Sequence, residues 1–306
     1  MADFLLDQFQ AGKQPSTLEG YRTAIAGALK LAKGVDFGTD PKLSALLLSF
    51  RRERPRSSAS QVPSWDLAFV LWSLSQPPFE PVAEESTPLK FLTWKTVFLL
   101  LLASGSRRSE IHALSGSEIS HAPDWKYVSV KPIPGFLSKT ALRSSGATVF
   151  EGIRIRALST ILGPDLPDDR KLCPVRSLKA YLARTKSFRK GQKRLFISYQ
   201  ENRQADISKN TISAWVKKLI KFTYKAGNSK ACQLSGHPVH DIRGMASSWA
   251  FRGTVAVDDI LKACTWSSHT TFTDFYLKDM TEVKEGLLCL GPLAVAQTVV
   301  LPSNVR

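Results

Sequence analysis

The most apolar segment of the chain is residues 89–104, LKFLTWKTVFLLLLAS, which follows a helix start at Thr87 and Pro88. Its most apolar run, residues 97–103, is far shorter than the ~20 residues that a transmembrane helix needs. The helix pattern breaks at residues 104–105, and a new helix is predicted over residues 107–114, beneath the apolar one. The segment therefore predicts a long helix in a soluble protein, followed at once by a pair of arginines.

The composition indicates a folded and strongly basic protein. A length of 306 residues is enough for a large core and favours two domains over one. An apolar fraction of 43% with seven tryptophans argues against disorder. The formal net charge of +16 predicts a polyanionic partner, for which nucleic acid is the leading candidate. The amino-terminal sequence MADFLLDQF lacks the basic segment of a signal peptide, so we expect an intracellular protein without membrane association.

The cysteines and histidines show no metal-site pattern. The four cysteines are scattered without a CxxC pair, which predicts thiols in or near the core of a protein from a reducing compartment. The five histidines form no cluster with them, so we expect neither a structural metal nor a disulfide framework. No cofactor is expected either.

Residues 1–56 are predicted to form a small helical domain. A short helix is expected at residues 4–9, and a second begins at residue 15 and ends near Gly34. For the second helix, Ser16 is the candidate N-cap and Glu19 completes a capping box. A third helix is predicted to start at Asp40 and to run to about residue 50.

A stretch rich in Arg and Ser, RRERPRSSASQVPS, occupies residues 51–64. Residues 57–64 are predicted to be a linker to a second domain, residues 65–306. The arginines of the stretch fit two interpretations equally, an ordinary solvated linker or a segment that runs along a phosphate backbone. The candidate DNA-binding arginines are Arg51, Arg52, Arg54 and Arg56.

The hydrophobic period changes within the second domain. Short strands are predicted at residues 127–130, 148–150, 153–155 and 195–198. Helices are predicted at residues 175–186 and around residues 212–220. The second of these helices has an opposite face of Lys217, Lys218 and Lys221, which is either simply solvated or in contact with phosphates. The expected fold class is mainly α with a small antiparallel β-sheet (α+β).

Two short motifs contain residues suited to phosphate chemistry. His240 and Arg243 are three residues apart and project together from the first turn of a predicted helix. An imidazole and a guanidinium side by side can bind one phosphate. Arg107 and Glu110 have the same spacing, so the carboxylate can orient the guanidinium. Each motif alone is a weak signal and more often marks a solvated arginine or a surface ion pair.

The order of the motifs is more informative. The sequence GSRRSEIHAL, a β-hairpin lysine, HDIRG, a Trp and a Tyr together resemble the tyrosine recombinase (phage integrase-like) family. The segments PPFEP, PGFLSKT and TWSSHTTFTDFYLKDM resemble in particular the recombinases of DIRS and Ngaro retrotransposons. The resemblance covers nearly the whole chain. It implies a helical core-binding domain, residues 1–56, and a mixed α/β catalytic domain that together clamp duplex DNA.

The resemblance also implies an enzyme that cleaves and rejoins DNA strands through a 3′-phosphotyrosyl intermediate, without metal or ATP. The implied catalytic residues are Arg107, Lys139, His240, Arg243, Trp266 and Tyr276, with Glu110 in support. Tyr276 is the implied nucleophile and His240 its base or hydrogen-bond partner, while Lys139 protonates the leaving oxygen. Trp266 stands where many family members have a second histidine. Arg108 is the alternative to Arg107, and Lys131 the alternative to Lys139.

Further expectations concern partners and rival functions. The implied partner is double-stranded DNA, bound by a homotetramer in the synaptic complex and by a monomer or dimer otherwise. The implied setting is the integration of a mobile element in the nucleus. The apolar tail, residues 286–300, is expected to pack on its own domain or on a neighbouring protomer. The alternatives are a non-catalytic DNA-binding protein derived from such a recombinase and a type IB topoisomerase.

Overall fold

The computed structural model describes residues 1–55, 65–82, 87–139, 150–160, 169–189, 191–200, 205–226, 238–266, 269, 272–273 and 276–277. The chain divides into two compact units, residues 1–60 and 61–306. The predicted linker, residues 57–64, and the apolar tail, residues 286–300, lie outside the described residues. The predicted domain boundaries and the packing of the tail therefore stay predictions.

Helices dominate both units. The first unit contains α1 (Ala2–Gln10), α2 (Pro15–Lys33) and α3 (Pro41–Glu53). The helices of the second unit are α4 (Leu67–Leu74), α5 (Leu89–Ser104), α6 (Arg108–Ala113), α7 (Pro174–Thr185), α8 (Lys209–Ala226), α9 (Pro238–Arg252) and α10 (Val257–Ala263). Its strands are β1 (Leu114–His121), β2 (Tyr127–Pro132) and β3 (Ile153–Arg156). Short 3₁₀ turns occupy Leu158–Thr160, Asp169–Leu172 and Lys186–Phe188.

The first unit is a three-helix assembly with a core of its own. Phe9 of α1 stacks on Phe50 of α3 with ring centroids 4.2 Å apart, and Leu18 of α2 is completely buried beside them. The predicted start of α3 at Asp40 is confirmed. Asp40 is the N-cap, and its carboxylate accepts the backbone N–H groups of Lys42 and Leu43. These contacts explain why 55 residues are enough to bury three amphipathic faces.

The predicted start of α2 is wrong in one detail. The N-cap is Gln14, and no side chain caps that end, so Ser16 lies inside the helix. Pro15 occupies the first helical position, where its fixed φ favours the helix and its missing N–H costs nothing. The predicted end near Gly34 is confirmed, since Gly34 adopts the left-handed conformation that terminates many helices.

The second unit is organised around α5. Every residue from Phe91 to Ser104 is buried, and α7, α8 and α9 all pack against the helix. A helix that is apolar on all sides is stable in water only when other elements enclose it. The helix ends at Gly105, whose φ of 58° is left-handed and whose N–H bonds the carbonyl of Leu101.

One charged side chain of α5 lies inside this core. Lys95 is 0% exposed, and its ammonium donates to Glu80 Oε1 at 2.5 Å and to the Leu74 carbonyl at 2.7 Å. Arg176 of α7 forms a bidentate pair with the same carboxylate, at 2.7 and 2.9 Å. Burial lowers the pKa of Lys95 to about 8, although the charge of Glu80 acts in the opposite direction.

The three strands form an antiparallel sheet in the order β1-β2-β3. Val128 and Val130 of β2 lie opposite Ile155 and Ile153 of β3, and all four side chains are buried. The predicted strands at 127–130 and 153–155 are thus confirmed. The strand predicted at 148–150 falls almost wholly outside the described residues, and Phe150 itself is not in a strand.

The helix predicted over residues 107–114 is confirmed as α6, to within one residue at each end. The strand β1 follows it directly and was not predicted, because its mostly polar sequence LSGSEISH gave no strand signal. Residues 195–198 form no strand of the sheet; bridges join Ser115 to Arg194 and Ile197 to Asp206 instead. Gly116 makes the first bridge possible, because a Cβ there would lie 2.9 Å from the Arg194 carbonyl oxygen.

The described elements confirm the predicted fold class, mainly α with a small antiparallel sheet. The helices predicted at 89–104, 175–186 and around 212–220 correspond to α5, α7 and α8. Cys173 and Cys264 are buried free thiols, as predicted for the core. Within the described ranges, none of the helices combines the length and the apolar character that a bilayer crossing requires.

The buried ion pair predicts an asymmetry between two substitutions. Glu80→Gln leaves the Lys95 ammonium buried without its counter-charge, so we expect it to lower the free energy of unfolding by about 3–5 kcal/mol. Lys95→Met fills the same space and leaves Glu80 paired with Arg176, so its cost should be clearly smaller. Urea denaturation of both variants measures the difference. Equal losses in the two variants would contradict this account of the pair.

The lowered pKa of Lys95 predicts a pH dependence of stability. Between about pH 8 and the ordinary value of 10.5, the unfolded chain keeps a proton on Lys95 that the folded chain has already lost. Stability from this group therefore rises with pH across that window. We expect the native chain to gain stability relative to Lys95→Met between these pH values, because other titrating groups cancel in the comparison. A constant difference between the two proteins would refute the prediction.

Candidate active site

Arg107 lies at the junction between α5 and α6. It is the N-cap of α6, and its backbone N–H donates to Glu110 Oε2 at 2.7 Å. Its Nη1 donates to Glu110 Oε1 at 2.6 Å. Glu110 is 1% exposed, whereas the Arg107 side chain is 14% exposed. The RxxE motif is therefore a buried carboxylate holding a partly accessible guanidinium, not a surface ion pair.

Arg243 of α9 reaches the same carboxylate from the other side. Its side chain is 1% exposed, and its Nη1 lies 3.7 Å from Glu110 Oε2. The guanidinium donates to two backbone carbonyls, that of Gly105 at 2.7 Å and that of Cys264. Burial lowers the pKa of Arg243, and the positive charge of Arg107 adds to the effect, while Cys264 and Glu110 oppose it.

Two aromatic rings cover the Arg243 guanidinium. Its central carbon lies 4.6 Å from the ring centroid of Trp266 and 5.4 Å from that of Tyr276. The two rings are 4.5 Å apart at an interplanar angle of 34°. Cation–π attraction favours this stack, more strongly because it is shielded from water. The Nε1 of Trp266 and the Nε of Arg243 are both buried and have no hydrogen-bond partner among the described residues.

Thr265 is a member of this cluster that the sequence analysis missed. Its Oγ1 accepts a hydrogen bond from Arg107 Nη1 at 2.9 Å and lies 3.5 Å from Glu110 Oε1. The residue follows α10, a helix that was also not predicted. Two aspartates in the first turn of that helix, Asp258 and Asp259, were the signal that could have found it.

The remaining implied catalytic residues, His240 and Lys139, are exposed. His240 is exposed in the first turn of α9, one turn before Arg243. Lys139 is exposed in the loop that follows β2, and Lys131 is exposed at the end of that strand. No contact within the described ranges connects either lysine with the two arginines.

Arg108 points to a different neighbour from Arg107. Its Nη1 donates to Ser213 Oγ at 3.1 Å and approaches Asn210 Oδ1 at 3.5 Å, both on α8. Of the two adjacent arginines, only Arg107 contacts Glu110 and Thr265 in the described part of the chain. The geometry therefore favours Arg107 as the member of the cluster.

The histidines outside the implied set have local partners. His112 Nε2 lies 2.7 Å from the Ile207 carbonyl, and burial lowers its pKa. His269 Nε2 lies 2.9 Å from Asp258 Oδ1. His237 lies outside the described residues. Among the residues with described positions, no group of three His, Cys, Asp or Glu side chains could hold a metal ion.

The candidate DNA-binding residues differ in their surroundings. Arg51 is exposed and pairs with Glu19 at 2.5 Å, whereas Arg54 donates to the Lys13 carbonyl at 2.8 Å. Arg52 is exposed, and Arg56 lies outside the described residues. The three lysines of α8 are exposed on one side of the helix: Lys217, Lys218 and Lys221. Their contact with DNA stays a prediction.

Comparisons with known proteins return structures but no sequence relatives. No protein-family model and no curated protein matches the chain. A crystal structure of XerA recombinase is similar with a TM-score of 0.46 and 18% identity, over 91% of this chain and 86% of that one. A lambda integrase dimer bound to a COC′ core site has a TM-score of 0.48 and 14% identity, over 92% and 82%. A lambda integrase tetramer bound to a Holliday junction has a TM-score of 0.44 and 16% identity, over 92% and 66%.

The TM-scores of these three structures all lie below 0.5. We define the cluster of the candidate site as the following residues: Arg107, Glu110, Arg243, Thr265, Trp266 and Tyr276.

The contacts of Glu110 predict that its carboxylate contributes to the stability of the protein. Glu110→Gln removes the negative charge between two guanidinium groups and the charge-assisted acceptor of the Arg107 N–H. We expect a loss of about 1.5–3 kcal/mol in the free energy of unfolding, measured by urea denaturation. The matched control is Glu118→Gln, which changes an exposed carboxylate on β1 and should cost less than 0.5 kcal/mol, roughly the surface range. A Glu110→Gln protein as stable as the control would show that the carboxylate is not needed to balance the arginines.

Proposed function

We propose that the chain is a DNA strand transferase of the tyrosine recombinase type. In this proposal it cleaves a phosphodiester by attack of Tyr276, forms a 3′-phosphotyrosyl link and rejoins strands without metal or ATP. The observation that supports it best is the cluster itself. Arg243 contacts Gly105, which is 138 residues away in the sequence, and Arg107 contacts Thr265, which is 158 residues away. The Arg243 guanidinium also lies against the rings of Trp266 and Tyr276.

The charges of the cluster favour an anion. Two guanidinium groups face one carboxylate, Glu110, so one positive charge remains uncompensated in a mostly buried place. A phosphodiester would supply the missing negative charge and would gain more in this low-dielectric environment than in water. Trp266 Nε1 and Arg243 Nε are buried donors without partners in the described structure. A buried donor left unpaired costs about 1–3 kcal/mol, which a phosphate oxygen would recover.

The chemistry of the proposed step assigns each remaining residue. The Tyr276 hydroxyl forms a bond to phosphorus as the bond from phosphorus to the 5′-oxygen breaks. His240 takes the phenol proton, because a free phenol with a pKa of ~10 is a weak nucleophile. Lys139, or alternatively Lys131, gives a proton to the departing 5′-oxygen. Arg107 and Arg243 stabilise the charge that develops on the non-bridging oxygens.

The same geometry also favours a second candidate, a DNA-binding protein without catalysis. Arg243 is 1% exposed and its Nη groups are bound to the carbonyls of Gly105 and Cys264, beneath two aromatic rings. In this arrangement a phosphate cannot reach the Nη groups. A strand transferase therefore has to move the Tyr276 ring off the guanidinium when DNA binds, whereas a binding protein does not.

The finer features of the function are part of the proposal. The motif order and the TWSSHTTFTDFY segment support a recombinase of a DIRS- or Ngaro-type mobile element, acting on double-stranded DNA in the nucleus. A homotetramer would form the synaptic complex, and a monomer or dimer would be present otherwise. Simple relaxation of supercoiled DNA, as by a type IB topoisomerase, would use the same cluster.

Trapping of a covalent protein–DNA adduct tests the proposal. The probe is a pool of duplex DNA with a randomised core and a nick a few nucleotides beyond it, incubated with the native chain in EDTA. Release of the short nicked fragment prevents rejoining, so adducts accumulate and survive denaturing electrophoresis. Sequencing the attached DNA identifies the preferred site. DNA binding without any adduct would favour the non-catalytic candidate and contradict strand transfer.

Tyr276→Phe is the decisive variant of this experiment. The phenylalanine keeps the ring over Arg243 and Trp266 but removes the nucleophilic oxygen, so we expect adduct formation to disappear while DNA binding persists. Tyr127→Phe is the matched control, because Tyr127 is a partly exposed tyrosine on β2 that should leave the adduct unchanged. An adduct that survives Tyr276→Phe would show that another residue attacks the phosphate.

The lysine face of α8 predicts a salt-dependent contribution to DNA binding. Replacing Lys217, Lys218 and Lys221 by glutamine should weaken binding and flatten the plot of log affinity against log salt by about 0.9 for each DNA phosphate that a lysine no longer neutralises. The charge-preserving arginine triple variant is the control and should keep the native slope. Fluorescence anisotropy with a labelled duplex, measured between low and moderate salt, provides the slopes. An unchanged slope in the glutamine variant would remove this face from the DNA interface.

A further inference from the structure

We propose that Thr265 is a positioning residue for Arg107, a role that rests on the proposed strand-transfer function. Its hydroxyl ties the guanidinium to the turn that also holds Cys264 and Trp266.

The turn at Thr265 is a helix end of the type that usually contains glycine. After α10, the N–H of Thr265 bonds the Lys262 carbonyl at 3.1 Å, and the N–H of Trp266 bonds the Leu261 carbonyl at 2.8 Å. This pair of bonds defines a Schellman motif, whose left-handed position is occupied here by Thr265 with a φ of 50°. A β-branched residue is strained at positive φ, so the sequence places an unfavourable residue at this point.

The chain contains a second helix end of the same kind. After α9, Val255 bonds the Ala250 carbonyl at 3.0 Å, and Thr254 has a φ of 63°. Thr254 is exposed, whereas Thr265 is 9% exposed. Left-handed backbone conformation at a threonine is therefore not by itself a sign of function in this chain. The contacts of the buried hydroxyl are what distinguish Thr265.

The Thr265 hydroxyl bonds a charged group that the proposed reaction needs. It accepts from Arg107 Nη1 at 2.9 Å, and the same Nη1 donates to Glu110 at 2.6 Å, so two oxygens fix one nitrogen. The adjacent residue, Cys264, uses its carbonyl to accept from Arg243. The next residue, Trp266, lies over the Arg243 guanidinium. One turn of three residues therefore sets the separation of the two arginines, and Thr265 is its contact with Arg107.

Substitutions at the two threonines separate positioning from general damage to a helix end. Thr265→Val keeps the shape and the strained backbone but removes the hydroxyl, and Thr265→Ser keeps the hydroxyl. Thr254→Val makes the same threonine-to-valine change at the exposed helix end after α9. The measurements are the rate of adduct formation at saturating DNA and the dissociation constant of the same duplex, whose sequence is recovered from the randomised nicked pool.

We expect Thr265→Val to slow adduct formation by about 10- to 100-fold, the range for a lost hydrogen bond to a charged group. The dissociation constant of the DNA should change by less than about threefold, because a displaced Arg107 affects the transition state more than binding. The Thr265→Ser protein should form the adduct within about threefold of the native rate. The Thr254→Val protein should form it at the native rate. A fast Thr265→Val protein, a slow Thr265→Ser protein, or equal slowing at position 254 would each overturn the proposal.

A double-mutant cycle tests the contact without any catalysis. The free energy of unfolding is measured for the native chain, Thr265→Val, Arg107→Met and the double variant. If the hydroxyl acts on Arg107, the loss caused by Thr265→Val should shrink or vanish once Arg107 is methionine. An additive cycle would overturn the proposal even in an active enzyme. A native chain that forms no adduct while the cycle shows coupling would instead contradict the proposed function and leave the contact established.

Discussion

The enclosure of α5 is the constraint on which the second unit depends. A helix that buries every residue from Phe91 to Ser104 needs neighbours on all sides, and α7, α8 and α9 supply them. The helix also ends inside the core, so its last carbonyl groups need donors there. Arg243 from α9 donates to the Gly105 carbonyl, and the following turn places Arg107 beside it. The contacts that enclose the end of α5 therefore also assemble the candidate active site.

The cluster around Glu110 is costly in several independent ways. It buries an arginine, leaves one indole and one guanidinium donor without partners among the described residues, and holds a threonine at positive φ. Each feature opposes folding, although Arg243 and Thr265 also help to end α5 and α10. Proteins tolerate such strain mainly where a ligand or a reaction requires it. The concentration of these costs in one place is a physical reason, separate from motif order, to look for function there.

Much of this arrangement could be predicted from the sequence, and the failures have identifiable causes. The apolar run made α5 unmistakable, and the order of RxxE, HxxR, Trp and Tyr indicated which residues belong together. Spacing could not show that Glu110 lies between both arginines, because that depends on how α6 and α9 pack. The strand β1 was missed because its mostly polar side chains do not alternate with apolar ones. Its pairing with β2 is what makes it a strand. Thr265 was missed because its role depends on a hydrogen bond with the Arg107 guanidinium, which is 158 residues away in the sequence.

The buried ion pair between Lys95 of α5 and Glu80 also constrains the order in which this sequence can change. If Glu80 is replaced while Lys95 remains, an ammonium group that is 0% exposed loses its carboxylate. If Lys95 is replaced first by an apolar residue, Glu80 still has Arg176 as a bidentate partner. A lineage that changes one residue at a time can therefore replace Lys95 first at a smaller cost in stability than Glu80. The network thus favours one order of substitution at the centre of the fold.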